Sequence, residues 1–325
     1  MATDAIDPGE VRFFSGSSHP QLAADIAGYL GVPLDKTEIT RFSNDNLYIQ
    51  LGASVRSRNV FIVQSLSPPV NDHLVELLMM LDIARAASAK EIHAIIPYFS
   101  FARSDKKDAP RISITARLVA DLLQTAGATQ VMTMVLHSPQ VHGFFGIPAD
   151  PLSSRPVFTR YFQKRDLSST IVVSPDMGHA KSAARFAKSL GLPVTAGNKE
   201  RLSDTKVHIS IVGQQVRGFE RALIYDDEVA TGHSVLEISN LLIADDVREI
   251  WVACTHGVFV MGGLERLAAV PQITEIVTTD TVPVPKRHPK LRVLSVDFIF
   301  GEAIRRNYLR RSIGDLFVYG DGSPG

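Results

Sequence analysis

Continuous apolar runs alternate with segments of helical period along most of this 325-residue chain. The runs are Val60–Val63, Glu91–Tyr98 and Val131–Leu136, then Thr170–Val173, Arg221–Tyr225, Glu249–Ala253, Glu275–Val277 and Leu291–Val296. Many are unbroken rather than alternating, the pattern of strands buried on both faces of a parallel sheet. Between them, Leu74, Leu77, Leu78, Leu81 and Ala84 recur at helical spacing, with Asn71-Asp72 placed to cap the start. Ala180, Ala183, Ala184, Ala187 and Leu190 predict a second helix, stopped by Gly191. Strands alternating with helices predict an α/β, doubly wound, Rossmann-like architecture with mainly parallel sheets flanked by helices. The rhythm restarts after the polar, proline-bounded stretch Asp150–Pro156, which reads as a linker. Two domains are expected, over residues 10–155 and 156–305, followed by a terminal segment, 306–325, whose end beyond Phe317 reads as frayed.

Composition narrows the function classes. Thirty-four basic residues balance thirty-four acidic ones, which leaves no electrostatic footprint for nucleic acid. The single cysteine, Cys254, sits in an apolar run, where a buried, inert thiol is expected. Residues 1–10 are polar and acidic, without the apolar core of a signal peptide. No apolar run approaches the ~20 residues that cross a bilayer. A cytoplasmic protein without membrane contacts is expected.

Ligands of open parallel sheets gather beyond the carboxyl ends of the strands, so the polar residues there carry the candidate chemistry. The run Ala222–Tyr225 meets Asp226 and Asp227, and Thr231-Gly232-His233-Ser234 then opens a predicted helix. Paired carboxylates suit hydroxyls or a metal, and free N–H groups at a helix start suit a phosphate. Arg103, Asp105, Lys106 and Lys107 follow aromatic residues after another run, a setting for a polyphosphate and a purine, or a solvated basic loop. His137 stands at a strand end, open to a metal or proton-transfer role or to an ordinary hydrogen bond. His142, before Gly143-Phe144-Phe145, reads as structural. Asp176 either binds Mg²⁺ or caps the next helix. Lys199 and Arg201 alternate in the polar stretch Gly197–Lys206, expected to be a mobile, cationic lid. Neither a P-loop nor a kinase signature is present.

In order and spacing, these segments resemble the ribose-phosphate pyrophosphokinase (phosphoribosyl pyrophosphate synthetase) family, from about Phe13 to Phe317. The resemblance includes Arg41-Phe42-Ser43-Asn44, Asn71–Leu77, Ile96–Phe99, Leu136-His137 and Val172–Asp176. It continues through Lys199-x-Arg201, Asp226-Asp227, Thr255–Val258 and Gly301–Arg306. It implies two similar phosphoribosyltransferase-type domains, with the last helix returning to the first. It implies transfer of the diphosphoryl group of ATP to the 1-hydroxyl of ribose 5-phosphate, giving AMP and 5-phosphoribosyl 1-diphosphate with Mg²⁺ as cofactor. Phe42, Asn44 and Asn46 then fall on an adenine-contacting loop, and Arg103 and Asp105 on the ATP-binding segment. His137 and Asp176 match metal positions, and Lys199 and Arg201 the catalytic cations. Asp226, Asp227 and Thr231, Gly232, His233 and Ser234 match the ribose 5-phosphate site. A homo-oligomer built from dimers, commonly a hexamer, is implied as well.

The chain departs from the family pattern at several of these places. Ala230 stands where a third aspartate is expected, with Glu228 as a candidate substitute, and His233 and Ser234 replace Gly and Thr. Asp45-Asn46 replace Gly-Glu in the adenine loop, Ser104 replaces Gln, Val135 replaces Asp, and His179 replaces the second Gly of a Gly-Gly pair. Gly314-Asp315 stand near a regulatory phosphate position, where an added carboxylate would repel phosphate and alter regulation. The changes also admit a non-catalytic regulatory paralogue, or a related diphosphokinase or phosphoribosyltransferase with another substrate.

Overall fold

The computed structural model describes residues 5–201, 207–213, 215–284 and 287–317, with side chains described throughout except at 198–201 and 207–213. The chain divides into two compact units. Unit 1 comprises residues 1–154, 281–283 and 295–325, and unit 2 comprises residues 155–280 and 284–294. The carboxyl-terminal return to unit 1 thus begins at Ser295 rather than at residue 306. The last helix, not only the tail, is part of that unit.

In chain order unit 1 contains β1 (Val11–Ser15), α1 (Pro20–Leu30), β2 (Thr37–Arg41), β3 (Leu47–Leu51) and β4 (Asn59–Val63). It continues with α2 (Val70–Ala86), β5 (Glu91–Ile96), α3 (Thr115–Ala126), β6 (Gln130–Met134) and β7 (Ala149–Leu152). Unit 2 contains α4 (Arg155–Phe162), β8 (Thr170–Ser174), α5 (Ala180–Leu190), β9 (Val194–Arg201) and β10 (Val207–Gly213). It then has β11 (Arg221–Val229), α6 (His233–Ala244), β12 (Glu249–Gly257), α7 (Gly263–Ala268), β13 (Ile273–Thr279) and β14 (Leu291–Leu294). Helix α8 (Asp297–Tyr308) closes unit 1.

The α/β expectation holds. Unit 1 has a parallel sheet ordered β1-β4-β5-β6-β7, with β2 and β3 paired as a separate antiparallel hairpin. Strand alternation sends Phe14, Val60, Ile62, Ala94 and Val131 against Leu77, Met80 and Leu81 of α2 and Val119 and Leu123 of α3. The opposite face carries the stacked rings of Phe13, Phe61 and His93. Helix α8 packs on α1, close enough that a Cβ at Gly301 would lie 2.3 Å from Tyr29 Cδ1. Both faces are covered, which is why the strands read as continuous apolar runs.

Unit 2 has a sheet ordered β10-β9-β8-β11-β12-β13-β14, parallel except for the β9–β10 pair. One face packs on Val235, Ile238 and Leu242 of α6 and Leu264 and Leu267 of α7. The other packs on Phe158 and Phe162 of α4 and Ala183 and Phe186 of α5. The three phenylalanines are fully buried, so truncating any one to alanine costs about 3–5 kcal/mol. The connection after β8 runs outward to β9, whereas that after β11 runs the other way, to β12. The winding therefore reverses between β8 and β11, and a crevice opens at their carboxyl ends.

Four local expectations are corrected. The stretch expected to be a linker carries β7, and α4 begins immediately at Arg155. Asn71-Asp72 do not cap α2: the helix starts at Val70 after Pro69, and Asp72 instead receives Arg41 Nη2 at 3.1 Å. Lys199 and Arg201 lie in strand β9, not in a mobile loop, because cross-strand pairing with β10 satisfies a polar backbone that has no apolar period. Their side chains, and residues 202–206, lie outside the described residues, as does the tail beyond Phe317. Finally, Asp226 and Asp227 stand inside β11, which stays paired with β12 as far as Val229 and Gly257.

Candidate functional site

The crevice of unit 2 is built from two strand ends. After β8, the chain turns through Pro175, Asp176 and Gly178 into α5, whose N-cap is His179. Asp176 Oδ1 accepts the His179 backbone N–H at 3.1 Å, so it orders this turn. The capping alternative for Asp176 is thereby realised in part. Inside β11, just past its pairing with β8, Asp226 Oδ1 accepts the Asp227 N–H at 2.9 Å. Among the described residues, His179, Asp226 and Asp227 form one group with metal-ligand spacing, each offering an atom within 4.8 Å of the others. The imidazole Nδ1 lies 4.0 Å from Asp227 Oδ1, and its ring lies 5.4 Å from that of Tyr225. Burial, followed by repulsion from Asp227, raises the Asp226 pKa well above the ordinary carboxylate range, and Asp176 adds to the effect.

The turn after β11 faces the same end of the sheet. Gly232, at φ 78°, is the N-cap of α6, a left-handed conformation that glycine adopts without steric cost. His233 and Ser234 begin the helix, and both are exposed. His233 Nε2 lies 2.9 Å from Glu237 Oε1, one turn along, and the imidazole stands 72% exposed. Arg266 Nη2 donates to the Thr231 carbonyl at 2.7 Å, and a Cβ at Gly263 would lie 2.6 Å from the Ala230 carbonyl oxygen. Helix α7 therefore packs against the turn through Gly263 and Arg266. Glu228, the candidate substitute for a missing carboxylate, is buried and stands in register with His256; it is outside the metal-spaced group.

Unit 1 holds the predicted residues of the ATP and adenine segments, some beyond carboxyl ends of its parallel sheet and some on the separate β2–β3 hairpin. Arg103 closes a short 3₁₀ turn after β5, and Asp105 follows it. Ser138 Oγ donates to Asp105 Oδ2 at 2.5 Å, which ties the segment after β5 to the residue next to His137. His137 is exposed beyond the end of β6, whereas His142 Nε2 meets the Ala149 carbonyl at 2.7 Å in a structural contact. Phe42, Asn44 and Asn46 occupy the β2–β3 hairpin loop. Phe42 N–H donates to the Asn46 carbonyl at 2.8 Å, and Arg41 grips Asp45 Oδ1 at 2.8 Å. Phe42 is 52% exposed and its ring lies 5.8 Å from that of Tyr48, a free aromatic surface at the loop.

A cavity of about 550 Å³ lies elsewhere in unit 1, lined by Asn59, Glu91, His93 and Gln130 at the amino ends of the strands. It is remote from the carboxyl-end chemistry. Cys254, fully buried in β12, has its thiol pKa pushed up to about 12 by burial, as an inert thiol requires. Near the chain end, Asp315 accepts from Arg306 Nη1 at 2.5 Å, so its carboxylate is held in an ion pair.

His179 is the site residue that sequence reasoning did not assign. It was visible only as a substitution at a helix start. Its meaning depends on β8 and β11 being neighbours, which local sequence does not state. Mg²⁺ takes carboxylate oxygens, and the aspartates of unit 2 supply that donor type.

A reversal of sheet winding, paired carboxylates at its crevice and a glycine-capped helix start together define an α/β protein of the kind that handles phosphorylated sugars. The family model for the N-terminal domain of ribose phosphate pyrophosphokinase matches residues 11–127, and that for the phosphoribosyl synthetase-associated domain matches residues 197–318. A Deinococcus radiodurans ribose-phosphate pyrophosphokinase is 44% identical over 312 residues, covering 94% of this chain and 97% of that protein. A Streptomyces coelicolor protein assigned to the same group is 51% identical over 310 residues, covering 95% of this chain and 98% of its own. The crystal structure of phosphoribosylpyrophosphate synthetase from Mycobacterium smegmatis superposes with a TM-score of 0.87 at 35% identity, covering 93% of this chain and 99% of that one. The chain belongs to the ribose-phosphate pyrophosphokinase family.

Proposed function

We propose that the chain is an active ribose-phosphate diphosphokinase, which moves the diphosphoryl group of ATP to the 1-hydroxyl of ribose 5-phosphate. The observation that carries this reading is the crevice at the carboxyl ends of β8 and β11. There Asp226 and Asp227 stand beside a glycine-capped helix start whose N–H groups suit the 5-phosphate. The carboxylates accept ribose hydroxyls, and the turn Thr231–Ser234 receives the phosphate. Phe42, Asn44 and Asn46 contact the adenine, while Arg103 and Asp105 hold the polyphosphate. His137 and Asp176 are assigned to Mg²⁺, which would neutralise phosphate oxygens when bound. Lys199 and Arg201 stabilise the diphosphoryl group as charge spreads in the transition state. Protein groups mainly position and neutralise, so no side-chain nucleophile is required. A homo-oligomer is part of this reading, as is a soluble cytoplasmic setting; among the described residues no helix is long and apolar enough to cross a membrane.

The test is a product assay on the full chain with ATP, ribose 5-phosphate and Mg²⁺. AMP and 5-phosphoribosyl 1-diphosphate should form in equal amounts, and only when the sugar phosphate is present. Absence of AMP, or AMP formed without sugar, overturns the reading. In Lys199→Ala, turnover should fall by about 100-fold or more while ATP affinity stays within a few-fold. Equal losses of both would remove Lys199 from its transition-state role.

A further inference from the structure

We propose that His179, Asp226 and Asp227 form a protein-only cation site that takes a nitrogen-accepting divalent transition metal, such as Mn²⁺ or Zn²⁺, in preference to Mg²⁺. The proposal deepens the reading above, because the same carboxylates are assigned there to the sugar.

The donors come from two elements on either side of the winding reversal. His179 is fixed at the start of α5 by its backbone bond to Asp176, and its ring is set against Tyr225. Asp226 and Asp227 lie inside β11, past its last pairing with β8 at Ile224 and still alongside β12, with Asp226 in register with Cys254. The imidazole and the Asp227 carboxylate are 13% and 7% exposed, so a bound ion would be largely shielded from solvent. Metal–ligand bonds of about 2.1 Å put adjacent donors roughly 3.0–3.5 Å apart. The 4.0 Å between His179 Nδ1 and Asp227 Oδ1, within a trio whose donors lie up to 4.8 Å apart, needs closures of up to roughly 2 Å, within reach of side-chain rotation.

The donor set decides the metal. Mg²⁺ favours oxygen donors, demands near-octahedral geometry and retains its waters. One imidazole nitrogen with two carboxylates moves the preference from Mg²⁺ toward first-row transition ions, whose affinity rises from Mn²⁺ through Co²⁺ to Cu²⁺ and falls again at Zn²⁺. Two adjacent carboxylates, with Asp176 close enough to act on Asp226, also supply a negative field that a divalent ion relieves. A glycine at position 179 would leave the carboxylates but remove the nitrogen, so His179 specifically sets this preference.

The experiment uses Mn²⁺ alone as probe on the full chain, with pulsed electron paramagnetic resonance to detect an imidazole nitrogen bound to the ion. Wild type and His137→Ala should both show nitrogen modulation, which excludes His137 as its source. His179→Gly and His179→Gln should lose it, with Mn²⁺ affinity reduced by about 10-fold or more. Circular dichroism confirms that the variants are folded. Mn²⁺ that does not bind wild type, Mn²⁺ that Mg²⁺ displaces from wild type as readily as from the folded His179 variants, or a nitrogen signal that persists in both variants, overturns the proposal. A wild type that binds Mn²⁺ through His179 yet makes no AMP would leave this site standing and overturn only the catalytic reading.

Discussion

Asp226 illustrates at the residue scale how a buried carboxyl beside a second one costs stability. Its carboxyl is held well above the ordinary range, first by burial and then by the charge of Asp227. An unfolded aspartate ionises near pH ~3.9, so above that pH the unfolded chain has lost a proton that the folded chain still holds. Folding stability from this group therefore falls as pH rises from about 4 through the raised folded value. Asp226→Asn should accordingly melt higher than wild type near neutral pH, with the gain vanishing near about pH 3.5, when both are measured with a chelator present. A gain independent of pH would remove the carboxylate from this account. On the proposed function the same variant should also lose ribose 5-phosphate affinity, because an amide replaces one of the two oxygens that accept from the sugar hydroxyls. The Asp226-Asp227 pair was legible in the sequence because two acids after an apolar run are conspicuous. His179 was not, because its partners are about fifty positions away along the chain and only the adjacency of β8 and β11 brings them together.

At the scale of elements, the site depends on how α7 backs the turn after β11. Gly263 has helical backbone angles, so its absent side chain is a matter of space rather than conformation. Gly263→Ala would press a methyl group onto the Ala230 carbonyl and Thr231, forcing the turn forward. A destabilisation of about 1–3 kcal/mol is expected in denaturant unfolding, together with weaker sugar phosphate binding. A variant with unchanged stability and affinity would show that the clamp yields freely. Elements such as β4 and β8, buried along their length, and α5, buried along one stripe, could be read in advance because burial dictates where their apolar residues fall. The β9–β10 pair could not, since the sequence from Gly197 to Lys206 is polar and the regularity of the two described strands comes from pairing with each other. The start of α2 was misassigned for a related reason: Asp72 has a capping side chain, but its oxygen is taken by Arg41 from the hairpin.

At the scale of the whole molecule, α8 binds the end of the chain to its beginning. Tyr29 donates to Glu302 Oε2 at 3.2 Å, while Arg305 and Arg306 both bond the same carboxylate. Burial opposes ionisation of Glu302, but the hydrogen bonds from Arg306 and Arg305 outweigh it and hold its pKa below the ordinary range. Gly301→Ala would meet the ring of Tyr29 at its inner atoms, which cannot swing clear without leaving the α1–α8 contact. A loss of about 1–3 kcal/mol is expected, read as a lower midpoint in denaturant. The two-unit plan was legible from the restart of the strand rhythm. The return of the chain at Ser295 was not, because α8 reads locally like any other amphipathic helix.

That return has a practical corollary. Because the polypeptide leaves unit 1 after Ser154, revisits it at Thr281–Pro283 and comes home at Ser295, no single cut releases a self-sufficient half. A truncation ending at Ser154 strips away α8 and the strand-like bridge between Leu152 and Phe317, baring the apolar side of α1. Such a fragment should precipitate when produced alone and be rescued when the segment from Ser295 onward is grafted back through a flexible tether.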